Sequence, residues 1–393
     1  MKEVILLKSG EIALKGLNRS SFEDKMISNC RRALGDLGKF SFTKAQSTTY
    51  VSWQGDIEVD KAVERLSRVF GIAALCKACV VPKDYSAIEE AAAAYLADEL
   101  QAARTFKVLA KRADKKFPMN SPQICIELGG FLLERFPHLK VDVENPEVLV
   151  TVEVRDFAAY IHGRQLPGAG GIPVGSSGRG MLLLSGGIDS PVAGVMMAKR
   201  GLELSAAHFF SPPYTSERAL HKVKQLSRKM TPYCGEIRLH VVPFTEISEA
   251  IRESCPQEYA TIIMRRYMMQ IAELLAHRTG CAALITGESV GQVASQTMAS
   301  LQCTGARLTL PVMRPVIGMD KEEIIRIARR VDTFELSVQP YDDCCTVFTP
   351  KRPKINPELG AVERAEEKLD RETLIQSALD GTQLESVRSD TVF

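Results

Sequence analysis

The stretch MLLLSGGIDSPVAGVMMAKRG, residues 181–201, restricts the possible folds of this 393-residue chain more than any other. An apolar run runs into Ser185-Gly186-Gly187-Ile188-Asp189-Ser190, and a helical pattern follows. The two glycines let backbone N–H groups turn inward with no Cβ in the way. The helix start beyond them adds unpaired N–H donors and the positive end of a helix dipole. With the hydroxyls of Ser185 and Ser190, the segment reads as a cradle for a phosphate or pyrophosphate. No G-x-x-x-x-G-K-[ST] pattern occurs, which disfavours an ordinary Walker ATPase or kinase.

After residue 175 or so, the apolar runs MLLLSGG, ELSAAHFF, IRLHVVPF and AALITGES alternate with helical stretches. Near-continuous apolar strands in that rhythm predict a parallel sheet covered on both faces, an α/β domain. Ligands of such sheets lie across the C-terminal ends of the strands. His208-Phe209, Thr286-Gly287-Glu288 and Gln296 fall at those ends. Arg265 lies in IIMRRYMMQIAELLAHR, whose Met/Ile/Leu stripe is most simply core, but it could reach nucleotide phosphates.

The first part of the chain has a different pattern. VILLK, TTYVSW, AALCKACVV, FKVLAKR, VLVTVEV and AAYIHG read as strands. Helices are expected over 19–34 with Asn18 as cap, over 59–70, over 86–102 capped by Ser86, and near 124–134. This mixture, without a strict βα repeat, suggests small α+β units. LPGAGGIPVGSSGRG, residues 166–180, reads as the linker between the two regimes. A charged stretch over 358–384 is expected to be helical.

Lys+Arg number 50 against Asp+Glu 48, a net charge of +2, so the protein is not basic all over. The charge is uneven, however. Residues 1–50 carry nine Lys/Arg against five acids, and residues 101–120 carry six, Lys111, Arg112, Lys115 and Lys116 among them, against Asp114 alone. Two such islands point to an anionic partner for the first third of the chain. No window holds the roughly 18 apolar residues of a membrane span, and MKEVILLKSGEIALKG reads as strand and turn, not as a signal peptide. A cytoplasmic protein is expected, with its ten cysteines mostly reduced. Cys76-x-x-Cys79 lies in an expected strand, where residues three apart face opposite ways, so it is not expected to hold zinc. The six histidines show no ligand cluster.

S-G-G-x-D-S resembles the PP-loop of ATP pyrophosphatases, and the whole chain resembles the tRNA 4-thiouridine synthetases, tRNA sulfurtransferases that also serve thiamine biosynthesis. SGEIALKGLNRSSFE, SGGIDSPVAG, ITGESVGQVASQT, and PVIGMDKEEI with PYDDCCTVFTP carry the match, in that order. The resemblance implies a ferredoxin-like N-terminal domain (1–58), a THUMP RNA-binding domain (59–166), a linker (167–176) and a PP-loop, adenine-nucleotide α hydrolase-like domain (177–393). It places ATP on Leu183, Leu184, His208, Phe209, Arg265, Gly287 and Gln296, beside the loop residues Ser185, Gly186, Gly187, Asp189 and Ser190. Asp189 and Lys321 match positions important for activation, with Asp189 positioning Mg2+; no protein cluster for another metal is implied. Lys111, Arg112, Lys115 and Lys116 would contact tRNA phosphates.

The implied reaction adenylates O4 of uridine 8 and then transfers a persulfide sulfur supplied by a cysteine desulfurase. The resemblance also implies sulfur transfer to the thiazole-pathway sulfur carrier protein, and a homodimer. Asp342-Asp343-Cys344-Cys345-Thr346 is the candidate sulfur-handling segment. A sulfur carrier needs an exposed thiol able to ionise; the two aspartates oppose this, and Lys351 and Arg352 are the candidate compensating cations. Aligning Cys-x-Val favours Cys345, and a one-residue shift gives Cys344. The sequence leaves no room for the rhodanese domain of longer relatives, so sulfur is expected directly from the desulfurase or through a separate rhodanese. Two other readings stand beside this one. They are a PP-loop enzyme adenylating a small carboxylate, and an RNA-binding module with an inactive nucleotide site; intact Asp189, Ser190 and Lys321 argue against the second.

Overall fold

The computed structural model describes residues 1–45, 48–341, 344–348, 350 and 352–393, with the side chains of Cys345 and Thr346 outside the described set. It forms two compact units, Met1–Gly171 and Ile172–Phe393.

The first unit begins β1 (Lys2–Ser9), α1 (Arg19–Ala33), β2 (Lys39–Ala45), β3 (Thr48–Gln54), α2 (Val59–Ser67) and β4 (Ile72–Val81). It continues through α3 (Tyr85–Tyr95), α4 (Ala97–Ala102), β5 (Thr105–Arg112), α5 (Ser121–Arg135), β6 (Lys140–Val141), β7 (Val148–Val154), β8 (Ala159–His162) and β9 (Leu166–Pro167). One sheet joins them all, in the order β2-β3-β1-β4-β8-β7-β5-β6, with β9 also on β4. The first six elements give the βαββαβ order of a ferredoxin-like fold. On β1, Ile5 and Leu7 pack with Met26 and Cys30 of α1 and Ala62 and Leu66 of α2. This core therefore takes in α2, beyond residue 58, because the apolar stripe of α2 faces the same strands. A second core joins Ile88 and Ala92 of α3, Ile124 and Leu128 of α5, and Phe106, Val150 and Val152 of the sheet.

Three local expectations are revised. Asp84, not Ser86, caps α3, accepting from Ala87 N at 3.0 Å. That helix ends at Tyr95 and α4 restarts at Ala97. The Asn18 side chain makes no capping bond. Nor is the Gly-rich segment slack. Gly168 N donates to Ala73 O at 2.9 Å and Gly170 N to Ile72 O at 2.8 Å. A Cβ on Gly168 would lie 2.2 Å from Ile72 O, so the glycine permits close approach to β4. Cys76 and Cys79 belong to different apolar clusters, as strand alternation requires; burial pushes the Cys76 thiol up to about 12.

The second unit contains β10 (Arg179–Leu183), α6 (Asp189–Lys199), β11 (Glu203–Phe210), α7 (Glu217–Cys234), β12 (Ile237–Pro243), α8 (Thr245–Ser254), α9 (Ala260–Thr279), β13 (Ala283–Ile285), α10 (Met298–Gly305), β14 (Val312–Met313) and α11 (Lys321–Arg330). Then come α12 (Phe334–Ser337), α13 (Cys344–Val347), α14 (Leu359–Glu366), α15 (Arg371–Asp380) and β15 (Gln383–Val387). The sheet order is β14-β13-β10-β11-β12-β15. All neighbours are parallel except β12 and β15. β15 and the breaks between α14, α15 and β15 replace the single helical stretch expected over 358–384; only Val387 of β15 is buried, so its sequence carries little strand signal. Met181, Ala207, Val242 and Leu284 meet α8, α9 and α15 on one face. A Cβ on Gly194 of α6 would touch Leu182, which places α6 against the other. No helix among the described residues is long and apolar enough to cross a membrane.

In the first unit, Glu153 of β7 is fully buried. Lys8 of β1 reaches its two oxygens at 2.8 and 2.9 Å, Arg155 lies at 2.7 Å, and His162 Nε2 at 3.6 Å. Burial alone would raise this carboxyl, but His162, Lys8 and Arg155 outweigh it and hold it well below the ordinary carboxylate range. A depressed folded-state pKa contributes stability above the unfolded value and loses it as pH falls. Stability of the first unit to denaturant should thus fall below about pH 4. Glu153→Ala, which strands the cations, should cost about 3 kcal/mol at neutral pH and reduce that acid sensitivity.

Candidate functional site

β10 has β11 on one side and β13 on the other, so the chain reverses direction across the sheet there. That is the crevice in which open α/β sheets take ligands. A cavity of about 260 Å³ opens there, walled by the ends of β10, β11 and β13, the start of α6, and α9 and α13.

The loop after β10 is held by its own serines. Ser185 N donates to Ser190 Oγ at 2.9 Å, the two hydroxyls lie 3.0 Å apart, and Gly187 N donates to Ser185 Oγ at 3.3 Å. Ser185, Gly187, Asp189 and Ser190 line the cavity, with Gly186 between them in the loop. Leu183 and Leu184 end β10 against it. Leu184 O accepts from His208 Nδ1 at 3.0 Å, which fixes the ring and puts the proton on Nδ1. Phe209 follows in the wall, stacked edge-on to Phe244 with centroids 5.2 Å apart. Across the crevice, Gly287 touches the first turn of α6. A Cβ there would lie 2.6 Å from Ser190 N and 2.7 Å from Asp189 C, both backbone atoms that cannot yield. Gln296 also lines the cavity, and its Oε1 accepts from Ser289 N at 3.3 Å.

The charges are arranged in two groups. Asp189, at the positive end of α6, accepts from Lys321 Nζ at 2.7 Å and from Gln292 Nε2 at 3.0 Å. Lys321 opens α11 behind Asp320, which forms a capping box with Glu323. The second group centres on Glu288, 2% exposed, which binds Arg265, Arg314 (2.7 Å) and the Thr286 hydroxyl (2.8 Å). Burial opposes the charge on Glu288, but the two arginines prevail and hold its carboxyl low. Two guanidiniums on one carboxylate leave a net positive charge. Arg265 lines the cavity, and its Nε is buried with no hydrogen-bond partner among the described residues. The adjacent Arg266 points the other way, 1% exposed, with both bonds to Glu366 at 3.0 Å. Sequence reasoning missed the holding roles of Glu288, Arg314 and Gln292; each acts through a partner 23 to 103 residues away.

Cys344 lines the same cavity. It is 3% exposed, so it is reached from the cavity and not from the surface that a carrier thiol was expected to occupy. Buried Lys222 donates to Gln339 O at 2.8 Å and to Tyr341 O at 3.4 Å, anchoring the segment that leads into α13. The Cys345 side chain, Asp342, Asp343 and Lys351 lie outside the described residues. Among the described residues no group of His, Cys, Asp and Glu is arranged to hold a metal ion. In the first unit, Lys111 and Arg112 end β5, and Lys115 and Lys116 are exposed in the loop beyond it. Arg112 Nη1 donates to Phe117 O at 3.1 Å.

The steric contact at Gly287 yields a test. Gly287→Ala must push the end of β13 away from α6 and should weaken binding of inorganic pyrophosphate, by calorimetry, at least tenfold. Gly305→Ala, at the end of α10 with nothing within 4 Å of the added carbon, should leave binding unchanged.

Comparison with known proteins agrees with this architecture. The family described as "Thiamine biosynthesis protein (ThiI)" matches residues 175–371, the ThiI ferredoxin-like domain 4–76 and the THUMP domain 82–162. A protein of Acetivibrio thermocellus named "Probable tRNA sulfurtransferase" is 50% identical over 99% of this chain and 100% of its own. One of Alkaliphilus metalliredigens with the same name is 47% identical over 99% and 100%. A solved 4-thiouridine synthetase–RNA complex with bound ATP superposes with a TM-score of 0.91 and 35% identity, covering 98% of this chain and 100% of that one. With three family modules in order and such identity over the whole length, the chain belongs to the ThiI family, whose curated relatives carry the name of an enzyme, tRNA sulfurtransferase.

Proposed function

We propose that the chain is an ATP-dependent sulfurtransferase that makes 4-thiouridine at position 8 of tRNA. The observation that carries this reading is that one cavity joins a phosphate-binding loop, an arginine with an unsatisfied donor and a thiol. The names of the relatives and the RNA and ATP of the solved complex support it.

ATP lies across the strand ends, with adenine against His208 and Phe209 and its contacts completed by Gly287, Gln296 and backbone of Leu183 and Leu184. The Ser185 and Ser190 hydroxyls and the α6 dipole hold the pyrophosphate portion, with Gly186 and Gly187 letting it come close to the loop. Arg265 takes an α-phosphate oxygen. Uridine O4 attacks the α-phosphorus, its bond to pyrophosphate breaks, and the N3 proton is released. Lys321 lets go of Asp189 and offsets charge on the leaving pyrophosphate. Of the two carboxylates at the cavity, Glu288 is already committed to arginines, so Asp189 offers the hard oxygens suited to Mg2+, which would neutralise phosphate charge.

The terminal sulfur of a cysteine persulfide then attacks C4 and AMP departs with the former O4. A second thiol attacks the cysteine sulfur, freeing the sulfur on C4, and the resulting disulfide is reduced by two external thiols, which leave as their own disulfide. Cys344 is the candidate in the cavity wall, with Cys345 beside it in sequence.

The proposal includes a cysteine desulfurase as sulfur source, directly or through a separate rhodanese, the thiazole-pathway sulfur carrier protein as a second acceptor, a homodimer and a cytoplasmic location. Residues 1–58 and 59–166 would handle tRNA, with Lys111, Arg112, Lys115 and Lys116 on phosphates, and 177–393 the chemistry. The test is sulfur incorporation with desulfurase, ATP and tRNA. AMP and pyrophosphate should form with tRNA present, and Lys321→Ala should slow this about 100-fold. At least one of Cys344→Ser and Cys345→Ser should abolish thiolation while AMP formation persists. Equal incorporation into tRNA bearing cytidine at position 8 would refute the substrate assignment.

A further inference from the structure

Cys344 lines the catalytic cavity, while Gln339 and Tyr341, just ahead of it, line a second hollow of about 710 Å³. Arg218, His221 and Lys222 of α7 wall the same hollow. A segment with open space beside it lacks the close packing that fixes a core element. Its place has to be set by directed contacts, and the structure supplies one at each end.

Ahead of α13 the contact is Lys222. It is 5% exposed, and its Nζ donates to Gln339 O at 2.8 Å and to Tyr341 O at 3.4 Å. Burying an ammonium is unfavourable unless it is well hydrogen-bonded, so the positions of Nζ and of the two carbonyls are tied together. Beyond α13 the contact is Tyr214. Its ring meets Phe348 edge-on, with centroids 4.9 Å apart. Its hydroxyl donates to Glu249 Oε1 of α8 at 2.8 Å, and the Arg252 guanidinium lies 5.5 Å from its centroid. Ser211 N donates to Thr215 Oγ1 at 2.9 Å and Thr245 Oγ1 to Pro212 O at 2.8 Å, which braces the loop that carries Tyr214. Phe348 N in turn donates to Cys344 O at 3.2 Å. Tyr214 and Lys222 both follow β11, whose His208 and Phe209 line the catalytic cavity. One run of chain therefore sets a wall of the cavity and both ends of the cysteine segment.

We propose that Lys222, with Tyr214, is a positioning residue for the sulfur step. It aims the α13 cysteines at the activated carbon and takes no part in the activation itself. This rests on the sulfurtransferase reading and deepens it.

The test measures initial rates of tRNA thiolation by the full chain, with ATP and an external thiol, from two sulfur sources. One is a desulfurase with cysteine, whose sulfur passes through an enzyme cysteine. The other is inorganic sulfide, which attacks C4 as HS⁻ and displaces AMP without one, its proton moving to N3. Lys222→Met should slow desulfurase-driven thiolation about 100-fold, the cost of a displacement near 1 Å. Its KM for tRNA and its sulfide-driven rate should stay close to wild type. Tyr214→Ala should show the same split at about tenfold. Lys222→Arg, whose guanidinium can serve both carbonyls, should recover most of the loss. Lys224→Met, on the same helix but paired with Glu385 at 2.6 Å, should match wild type with both sources. Equal slowing of both sources by Lys222→Met would mean a role in the fold at large and overturn the proposal. Undiminished desulfurase-driven thiolation by Lys222→Met would overturn it as well. Wild type that thiolates from neither source overturns the sulfurtransferase reading and the proposal with it.

Discussion

The catalytic unit depends on a contact that only a residue without a side chain can make. Gly287, past the end of β13, lies against the backbone of Asp189 and Ser190 in the first turn of α6. This approach brings β13 and the phosphate loop to opposite sides of one narrow crevice. Glu288 then follows at a depth where two arginines can reach it, and Arg265 Nε has no acceptor among the described residues. A helix dipole at one wall and surplus guanidinium charge at the other make the crevice selective for anions.

The first unit is organised by a shared sheet. β4 pairs with β1 on one side and β8 on the other, so the ferredoxin-like and THUMP portions cannot be pulled apart without breaking a ladder. Glu153 strengthens that joint, since its cation Lys8 comes from β1 and the carboxylate from β7. Buried ion pairs of this kind contribute less to net stability than to specifying one arrangement, because desolvation offsets much of their attraction.

Much of the site was legible because its residues are close in sequence and their backbone roles are local. The strand, the Gly-Gly turn and the helix start around Ser185 to Ser190 could be placed from hydrophobic pattern and glycine alone. The opposite faces of Cys76 and Cys79 followed from the two-residue period of a strand. Other features left no local trace. Arg265 and Arg266 are neighbours on one helix, and nothing in their order says which enters the cavity and which is buried against Glu366. β15 is an edge strand with a single buried residue, so its pairing to β12 leaves hardly any alternation to read. The glycines of residues 166–180 read as a linker, whereas Gly168 serves close packing on β4.

The sequence by itself determined the two regimes of secondary structure, the anion-binding loop and the uneven charge, since these depend on short-range backbone preference and composition. Tertiary structure alone decided that Cys344 shares a cavity with that loop and that Lys321 reaches Asp189 across 132 residues. Such contacts depend on strand order and helix placement, which bring distant segments within a few ångströms and leave no mark on the residues between.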